Sequence, residues 1–329
     1  MTKKYVFSVQ SLSQPLRLDA FLSKQSEFSS RSQVQNLIKK QQVLVNGQKA
    51  KASLLLKNDD EISVELSDEF SVIIQPENIP LNVVWEDDDI LVINKPKNMI
   101  THPTARETTG TLVNALLYKY GYEGLSDING VMRPGIVHRI DKNTSGLLMV
   151  AKNNKAHEFL SEQIKTKSAI RKYLAVVHGN FDCTEGYVDA PILRHPTKPE
   201  KMAVVEGGKP SITHFKVIEQ FKGFSFLELQ LETGRTHQIR VHMNHIGHPL
   251  VNDTLYAKIP FKVKTTEQVL QSYSLKFATL KSDDIIELEI EQDEDVQKVL
   301  KYLRSNLKWK IKLFWWQLNQ FYFVVCFTS

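Results

Sequence analysis

The sequence predicts an α+β fold in which a mixed, largely antiparallel sheet forms the larger domain and a small α/β module precedes it. Apolar strand-like segments outnumber amphipathic helices, and the two do not alternate as they would in a doubly wound sheet. The chain of 329 residues is long enough for about two domains. Its 42% hydrophobic and 24% charged residues are typical of a globular protein.

The first module, predicted over residues 1–66, should contain two short helices followed by a hairpin. A helical stripe comes first, a capping box then indicates where the second helix begins, and an Asn-Gly pair indicates a tight turn. The stripe consists of Leu18, Phe21 and Leu22. The capping box is formed by Ser30 and Gln33, and the turn by Asn46 and Gly47.

Basic charge lies at the two ends of the chain. The total of +5 divides into +4 for residues 1–66, +4 for residues 304–329 and −3 for everything between them. In the first module, basic residues on the second helix and hairpin have a spacing that lets them follow a phosphate backbone; an ordinary solvated surface is the alternative. The side chains predicted to contact a phosphate backbone here are Arg17, Arg31, Lys39 and Lys40.

Residues 67–80 are predicted to be a linker, acidic at first and then closed by Pro76 and Pro80. The larger domain should cover residues 81–303. Its apolar periodicity predicts strands over 90–93, 147–150, 173–177, 224–231 and 285–290, and helices over 111–120 and 154–165.

Polar residues crowd the loop between two apolar strands in residues 135–152, and loops of this kind often carry functional sites. Asp141 lies beside Arg139 and Lys142, and neighbouring cations favour the ionised form that a nucleophilic carboxylate needs. The alternative is a capped turn in which Asp141 and Thr144 bond to local amides. This segment alone leaves both interpretations open.

A second polar cluster, residues 231–250, has the pattern of a strand, a glycine turn and a helix capped by Thr236. Arg235 and Arg240 have the geometry to bind a carboxylate or a phosphate with two hydrogen bonds. Four histidines also raise the possibility of a metal site, but the His-Glu-x-x-His pattern is missing. We therefore predict no metal site and expect capping and core hydrogen bonding from His237, His242, His245 and His248.

Several other classes of protein are disfavoured. A kinase is not predicted, because Ile140 separates Arg139 from Asp141 and no glycine-rich nucleotide loop accompanies them. No Walker or Rossmann motif predicts a nucleotide cofactor. The two cysteines are too few for a disulfide scaffold, and no signal peptide or membrane-spanning segment is expected.

Residues 81–303 resemble the RluA-like family of RNA pseudouridine synthases. The resemblance rests on His-Arg-Ile-Asp-x-x-Thr-Ser-Gly from His138, Arg-Lys-Tyr from Arg171, and Gly-Arg-Thr-His-Gln-Ile-Arg-Val-His from Gly234, followed by His-Pro-Leu from His248. The first module is similar to the S4-type RNA-binding domain, a common companion of this family. This resemblance implies a pseudouridine synthase fold and a cofactor-free isomerisation of uridine in structured RNA.

The resemblance also implies roles for particular residues. Asp141 matches the catalytic aspartate, which either attacks the ribose anomeric carbon or assists removal of a ribose proton. Tyr173 matches the tyrosine that stacks near the base and removes the carbon-5 proton, a role that needs tuning from a pKa near ~10. Arg240 matches the basic partner of the aspartate, with Arg235 as second choice. Arg139 resembles the arginine that fills the gap left by the flipped uridine.

His138, Thr144 and Arg235 are further predicted RNA contacts. The predicted substrate is large-subunit ribosomal RNA, with transfer RNA as the alternative substrate and a noncatalytic RNA-binding ribosome-assembly factor as the alternative of another class. We expect a cytoplasmic monomer that needs no cofactor.

Residues 304–329 differ in composition from the rest and do not resemble the family. Three of the four tryptophans lie there: Trp309, Trp315 and Trp316. We expect this apolar tail to be an extension created by a frameshift or a missed stop, with an interaction helix or strand as the alternative. The intact mass of the native protein distinguishes the two.

Overall fold

The computed structural model describes residues 2–10, 14–25, 27–28, 31–67, 74–104, 107–130, 132–282, 284–306 and 324–327. No helix among these residues is long and apolar enough to cross a membrane.

Six helices and eighteen strands are assigned in the described residues. The helices are α1 Leu18–Leu22, α2 Arg31–Lys39, α3 Leu112–Tyr120, α4 Asn154–Lys165, α5 Gln238–His245 and α6 Glu294–Asn306. The strands are β1 Thr2–Ser8, β2 Leu16–Arg17, β3 Val43–Val45, β4 Gln48–Lys49, β5 Leu55–Leu56, β6 Glu61–Ser67, β7 Val83–Glu86, β8 Ile90–Lys95, β9 Ser145–Ala151, β10 Ile170–His178, β11 Glu185–Asp189, β12 Ile192–Arg194, β13 Met202–Val204, β14 Ile212–Phe221, β15 Phe224–Leu231, β16 Leu270–Ala278, β17 Ile285–Glu289 and β18 Val324–Phe327.

The first module has its own hydrophobic core. Its antiparallel sheet has the order β1-β6-β3-β4, and the buried Leu18, Leu22 and Leu37 of α1 and α2 share that core with the sheet. The turn between β3 and β4 is formed by Asn46 and Gly47, both with positive φ. Positive φ at both central residues is what a two-residue hairpin of this type requires, so the hairpin prediction is confirmed.

The larger domain is built on a ten-stranded sheet of order β18-β11-β14-β15-β10-β16-β9-β8-β7, with β17 also paired to β16. Every strand pair is antiparallel except β9 with β16, which is parallel. The predicted mixed, largely antiparallel sheet is therefore confirmed.

Helices cover both faces of this sheet. Along β8, Leu91 and Ile93 enter one core and Ile90 and Val92 another, because successive side chains of a strand point to opposite faces. Helices α3 and α5 pack into the first core. Helices α4 and α6 cover the opposite face, α4 against β9 and α6 against β10.

The end of the predicted linker contacts the larger domain. Ile74 is buried in the core with α3, and its backbone N–H and C=O both bond to the Tyr122 hydroxyl. Helix α6 runs to Asn306, past the predicted end of the larger domain at residue 303. The limits of the linker and of the larger domain stay predictions.

The apolar tail falls mostly outside the described residues. Within it, β18 pairs antiparallel with the edge strand β11, which agrees with the strand alternative. Its origin as an unselected extension stays a prediction.

The parallel contact between β9 and β16 depends on one glycine. Gly146 has φ +116°, and a Cβ built on it would lie 2.0 Å from the backbone oxygen of Ser272. No other residue fits without separating the two strands. Gly146 therefore permits the contact between the part of the sheet formed by β7, β8 and β9 and the part that carries β10 and β16.

Gly146→Ala should lower the free energy of unfolding by about 3 kcal/mol, because it adds a steric clash to an unfavourable positive φ. Gly207→Ala is the matched control, since Gly207 also has positive φ (+76°) but no atom within 4 Å of a built Cβ. That control should lose only about 1 kcal/mol. Urea denaturation measures both, and equal losses would contradict the proposed steric role.

Candidate active site

Two buried side chains bond to the backbone of the loop that carries Asp141. The Thr101 hydroxyl donates to the backbone oxygen of Ile140 at 3.2 Å, and the Lys95 ammonium donates to that of Lys142 at 3.2 Å. Lys95 is fully buried and Thr101 nearly so. The backbone on both sides of Asp141 is thus fixed.

The Lys95 ammonium also donates to the backbone oxygens of Pro96 and Met99, at 2.7 and 2.8 Å. Burial lowers the pKa of Lys95 to about 7, although the nearby Asp141 carboxylate acts in the opposite direction. Lys95 therefore ties the end of β8 to the Asp141 loop through three carbonyl groups.

Arg240, near the start of α5, lies between two carboxylates. Its Nε and Nη2 donate to the two oxygens of Asp253, each at 2.8 Å, and its Nη1 donates to Oδ2 of Asp141 at 3.3 Å. Asp253 is fully buried, and its Oδ1 also accepts the backbone N–H groups of Leu255 and Tyr256. The Asp141 side chain therefore bonds across the cleft to Arg240, which favours the site interpretation over the capped turn.

The charge of Arg240 is secured by these neighbours. Burial alone lowers the pKa of its guanidinium, but the hydrogen bonds and charge of Asp253, together with those of Asp141, outweigh burial and raise the pKa. Arg240 is therefore a permanent cation beside Asp141.

Tyr173 lies on β10 where the strand bulges. The pairing of β10 with β16 slips between Lys172 and Tyr173, and such bulges re-aim side chains beside active sites. Burial raises the pKa of the Tyr173 phenol, while Arg171 and a hydrogen bond with Ser272 oppose that effect. Burial dominates, so the pKa of Tyr173 lies above its usual value without a bound ligand.

These side chains meet in one cleft. Asp141, Tyr173 and Arg240 line it together with Arg139, Thr144, Arg171, Gly234, Arg235 and His237. The structure thus brings together the three predicted catalytic residues.

Arg235 does not pair with Asp141, so the second choice for that role is wrong. Its Nε and Nη2 both donate to the backbone oxygen of Pro210 at 3.3 Å. It lies partly exposed at the rim of the cleft, as does the exposed Arg139. Both arginines remain accessible to a phosphate or a base.

Two of the predicted RNA contacts face inward instead. Nε2 of His138 accepts the backbone N–H of Met149 at 3.0 Å, Nδ1 is buried, and burial lowers the pKa of the ring to about 3. Thr144 is 1% exposed, and its hydroxyl accepts from the Gln268 side chain at 3.4 Å. Both side chains hold the loop onto the sheet, and their contact with RNA stays a prediction.

Helix α5 begins differently from the prediction. His237, not Thr236, occupies the capping position, in a left-handed conformation with φ 56° and without a capping hydrogen bond from its side chain. The Gln238 side chain organises the turn instead, since its Oε1 accepts from the Arg235 backbone N–H at 3.0 Å and from the Thr233 hydroxyl at 2.8 Å.

Core hydrogen bonding accounts for two of the other histidines. His242 bonds through Nδ1 to the Thr213 hydroxyl and through Nε2 to the backbone oxygen of Ala190. His248 bonds through Nδ1 to the backbone oxygen of His178. In the described ranges, no group of three or more His, Cys, Asp and Glu side chains could hold a metal ion.

The sequence profile of the RNA pseudouridylate synthase family matches residues 89–245. An uncharacterized RNA pseudouridine synthase of Bacillus subtilis is 45% identical over 291 residues, which cover 88% of this chain and 95% of that protein. This chain belongs to the RNA pseudouridine synthase family. Ribosomal large subunit pseudouridine synthase D of Haemophilus ducreyi is 45% identical over 247 residues, 74% of each chain.

The fold of this synthase is similar to that of a protein with a solved structure. Human RNA pseudouridylate synthase domain containing 1 aligns with a TM-score of 0.53 and 23% identity, over 70% of this chain and 97% of that one.

The first module of the synthase matches the S4 domain over residues 16–62. Lys39 and Lys40 are exposed at the end of α2. Arg17 is half exposed and its guanidinium donates to both carboxylate oxygens of Asp19, at 3.0 and 3.2 Å. The Arg31 side chain lies outside the described part of the chain.

Three residues of the synthase site were missed by sequence reasoning: Lys95, Asp253 and Arg171. A lysine inside an apolar strand, next to a proline, is the signal that could have found Lys95. Arg171 was noted only as part of a motif, yet it is 3% exposed, and its Nη1 lies 3.1 Å from a Cβ built on Gly234. No local signal connects Asp253 with Arg240.

Arg240→Lys should lower the free energy of unfolding by about 2 kcal/mol, because lysine cannot bond to both oxygens of Asp253 and to Asp141 at once. Activity should fall by about tenfold or more, which corresponds to roughly 1.4 kcal/mol in the barrier. Thermal or urea unfolding and a turnover assay measure the two effects.

Arg235→Lys is the matched control for stability and should change the free energy of unfolding by less than about 0.5 kcal/mol. An unchanged stability of Arg240→Lys would contradict the central role assigned to the two carboxylate contacts.

Proposed function

We propose that this synthase isomerises specific uridines in large-subunit ribosomal RNA. The observation that carries the proposal is the contact between the Asp141 carboxylate and Arg240 in a cleft shared with Tyr173. The ribosomal substrate is supported by the 45% identity with the Haemophilus ducreyi enzyme, which is named for the ribosomal large subunit.

Asp141 is proposed to start the reaction in one of two ways. In the first, one carboxylate oxygen forms a bond to the ribose anomeric carbon while the bond from that carbon to the base nitrogen breaks, and the base leaves with the electron pair. In the second, the carboxylate takes a ribose proton as the same bond breaks. In both, Arg240 orients the carboxylate, and the rotated base then rejoins the ribose through carbon 5. In the first route the bond from Asp141 to the anomeric carbon breaks as this bond forms, and in the second Asp141 returns its proton to the ribose.

Tyr173 is proposed to stack against the detached base. Since burial raises the pKa of the phenol, it is protonated at neutral pH. It can take up the carbon-5 proton only if its own proton passes to a neighbour or to solvent at the same time. The Ser272 hydroxyl is not basic and already donates to the backbone oxygen of Leu147, so solvent that enters with the substrate is proposed to receive that proton.

Arg139 is proposed to replace the flipped uridine in the RNA stack. Extrusion of a base costs a few kcal/mol, and the exposed guanidinium at the mouth of the cleft can offset part of that cost by stacking. The cleft has a volume of only about 50 Å³, far below the roughly 300 Å³ of a small ligand pocket. We therefore propose that entry of the nucleotide displaces side chains at the rim, among them the exposed Arg139 and the partly exposed Arg235.

We propose that the synthase acts as a monomer without a cofactor. A ribosomal substrate also places it in the cytoplasm.

Asp141→Asn should abolish the target pseudouridines in cells, because the neutral amide can neither attack the ribose nor take a proton; turnover should fall by at least about 100-fold. Pseudouridine maps of ribosomal and transfer RNA from wild-type, deletion and variant cells measure this. The control variant is Asp88→Asn, at an exposed residue paired with Lys281. Deletion cells that express this variant should show the wild-type pseudouridine map.

Three identical maps for wild-type, deletion and Asp141→Asn cells would refute the enzymatic proposal and favour a noncatalytic assembly factor. Sites lost only in transfer RNA would replace the ribosomal substrate with the transfer RNA alternative.

Replacement of both Lys39 and Lys40 with glutamine should weaken RNA binding and flatten its salt dependence. Each lost phosphate contact should reduce the slope of log affinity against log salt by about 1. Binding of a ribosomal RNA fragment that contains a mapped uridine, titrated at several salt concentrations, measures the slope. The double variant Lys298→Gln, Lys301→Gln on the exposed face of α6 is the control, and an equal effect there would contradict a specific role for α2.

A further inference from the structure

The hydroxyl group of Tyr256 contacts one nitrogen of the His237 ring. It accepts the backbone N–H of Met202 at 2.8 Å and lies 2.9 Å from Nδ1 of His237. A backbone N–H can only donate, so the hydroxyl proton of Tyr256 is available for Nδ1. When Nδ1 accepts that proton, a neutral imidazole carries its single proton on the other nitrogen, Nε2.

The protonated nitrogen of His237 faces the catalytic carboxylate. Nε2 lies 4.0 Å from Oδ2 of Asp141, the same oxygen that Arg240 contacts at 3.3 Å. Burial, with a further contribution from Arg240, lowers the pKa of His237 although Asp141 and Asp253 act in the opposite direction. The ring is thus neutral near pH 7 and offers an N–H group without adding a second positive charge.

The backbone of His237 is held in an unusual conformation. Its φ of 56° is left-handed, a conformation that costs a non-glycine residue about 1 kcal/mol or more and that is often found at active sites. This conformation places the ring between Asp141 and Tyr256, both of which it contacts through opposite nitrogens. A helix can begin without a left-handed residue at this position, so the helix itself does not explain the conformation of His237.

Tyr256 also touches the other partner of Asp141. The guanidinium carbon of Arg240 lies 5.2 Å from the centre of the Tyr256 ring, within the range of a cation–π contact. The His237 ring meets the same ring edge-on, at 5.7 Å and 85°. One tyrosine therefore supports both groups that approach Oδ2 of Asp141.

We propose that His237 is a further partner of the catalytic carboxylate, a neutral Nε2–H donor that closes onto Oδ2 of Asp141 when RNA binds, and that Tyr256 is the positioning residue that sets its tautomer. The present 4.0 Å is too long for a hydrogen bond, but catalytic hydrogen bonds often tighten only in the substrate complex. With Arg240 and His237 both on Oδ2, Oδ1 is the oxygen turned to the ribose. This inference rests on the catalytic role proposed for Asp141.

The variants His237→Phe, His237→Gln and Tyr256→Phe test the proposal with an RNA fragment that contains a mapped uridine. His237→Phe should lower kcat by about 10- to 100-fold, the range for loss of a hydrogen bond to a charged group, with KM nearly unchanged. His237→Gln, whose side-chain amide can donate from a similar position, should recover part of kcat. Tyr256→Phe should lower kcat less than His237→Phe.

A readout independent of activity is the nitrogen NMR spectrum of the His237 ring. The full-length wild-type protein should show a proton on Nε2 and none on Nδ1, and Tyr256→Phe should show both tautomers. A wild-type ring protonated on Nδ1 would overturn the proposal, as would a folded His237→Phe enzyme with wild-type kcat. If Asp141→Asn remains active, the proposed function fails instead, so the two failures are distinguishable.

Discussion

The site depends on one buried cation with two anions. Arg240 is bound by both oxygens of Asp253 and uses its remaining nitrogen for Asp141. A charge buried in this way is stable only when it is paired and hydrogen-bonded. Because Asp253 takes the two short contacts, the longer one to Asp141 holds the Asp141 carboxylate at one oxygen and leaves the other oxygen without a bond to Arg240. An arginine with Asp141 as its only partner would hold that carboxylate more tightly.

Other side chains fix the backbone on each side of the contact between Arg240 and Asp141. Lys95 and Thr101 fix the backbone of the Asp141 loop from the end of β8 and the segment that follows it, whereas Gln238 and Tyr256 fix the start of α5. The sheet between them brings Tyr173 into the cleft through its bulge. The distance between the carboxylate and the guanidinium is thus set by backbone contacts on both sides, and the side chains need little freedom to meet.

Local patterns predicted much of this fold. The limits of α4 follow from its apolar periodicity, and the turn at Asn46 and Gly47 follows from the positive φ that this pair tolerates. Long-range pairings were not predictable in this way. Nothing near Arg240 indicates that Asp253 is its partner, and His138 and Thr144 look like exposed polar residues although the loop turns them inward. The left-handed His237 was missed because a threonine before a helix is the commoner cap, and only the tertiary contacts with Tyr256 and Asp141 select the other conformation.

The parallel pairing of β9 with β16 has a consequence for the order in which the chain acquires its site. Ser145 and Gly146 pair with Gln271 and Ser272, residues far away in the sequence. Closing the long segment between them costs conformational entropy, which slows the formation of this contact. Asp141 and Arg240 are themselves 99 positions apart. A chain still emerging from the ribosome therefore cannot join these two parts of the sheet until synthesis has reached β16, so the cleft is expected to assemble late in synthesis.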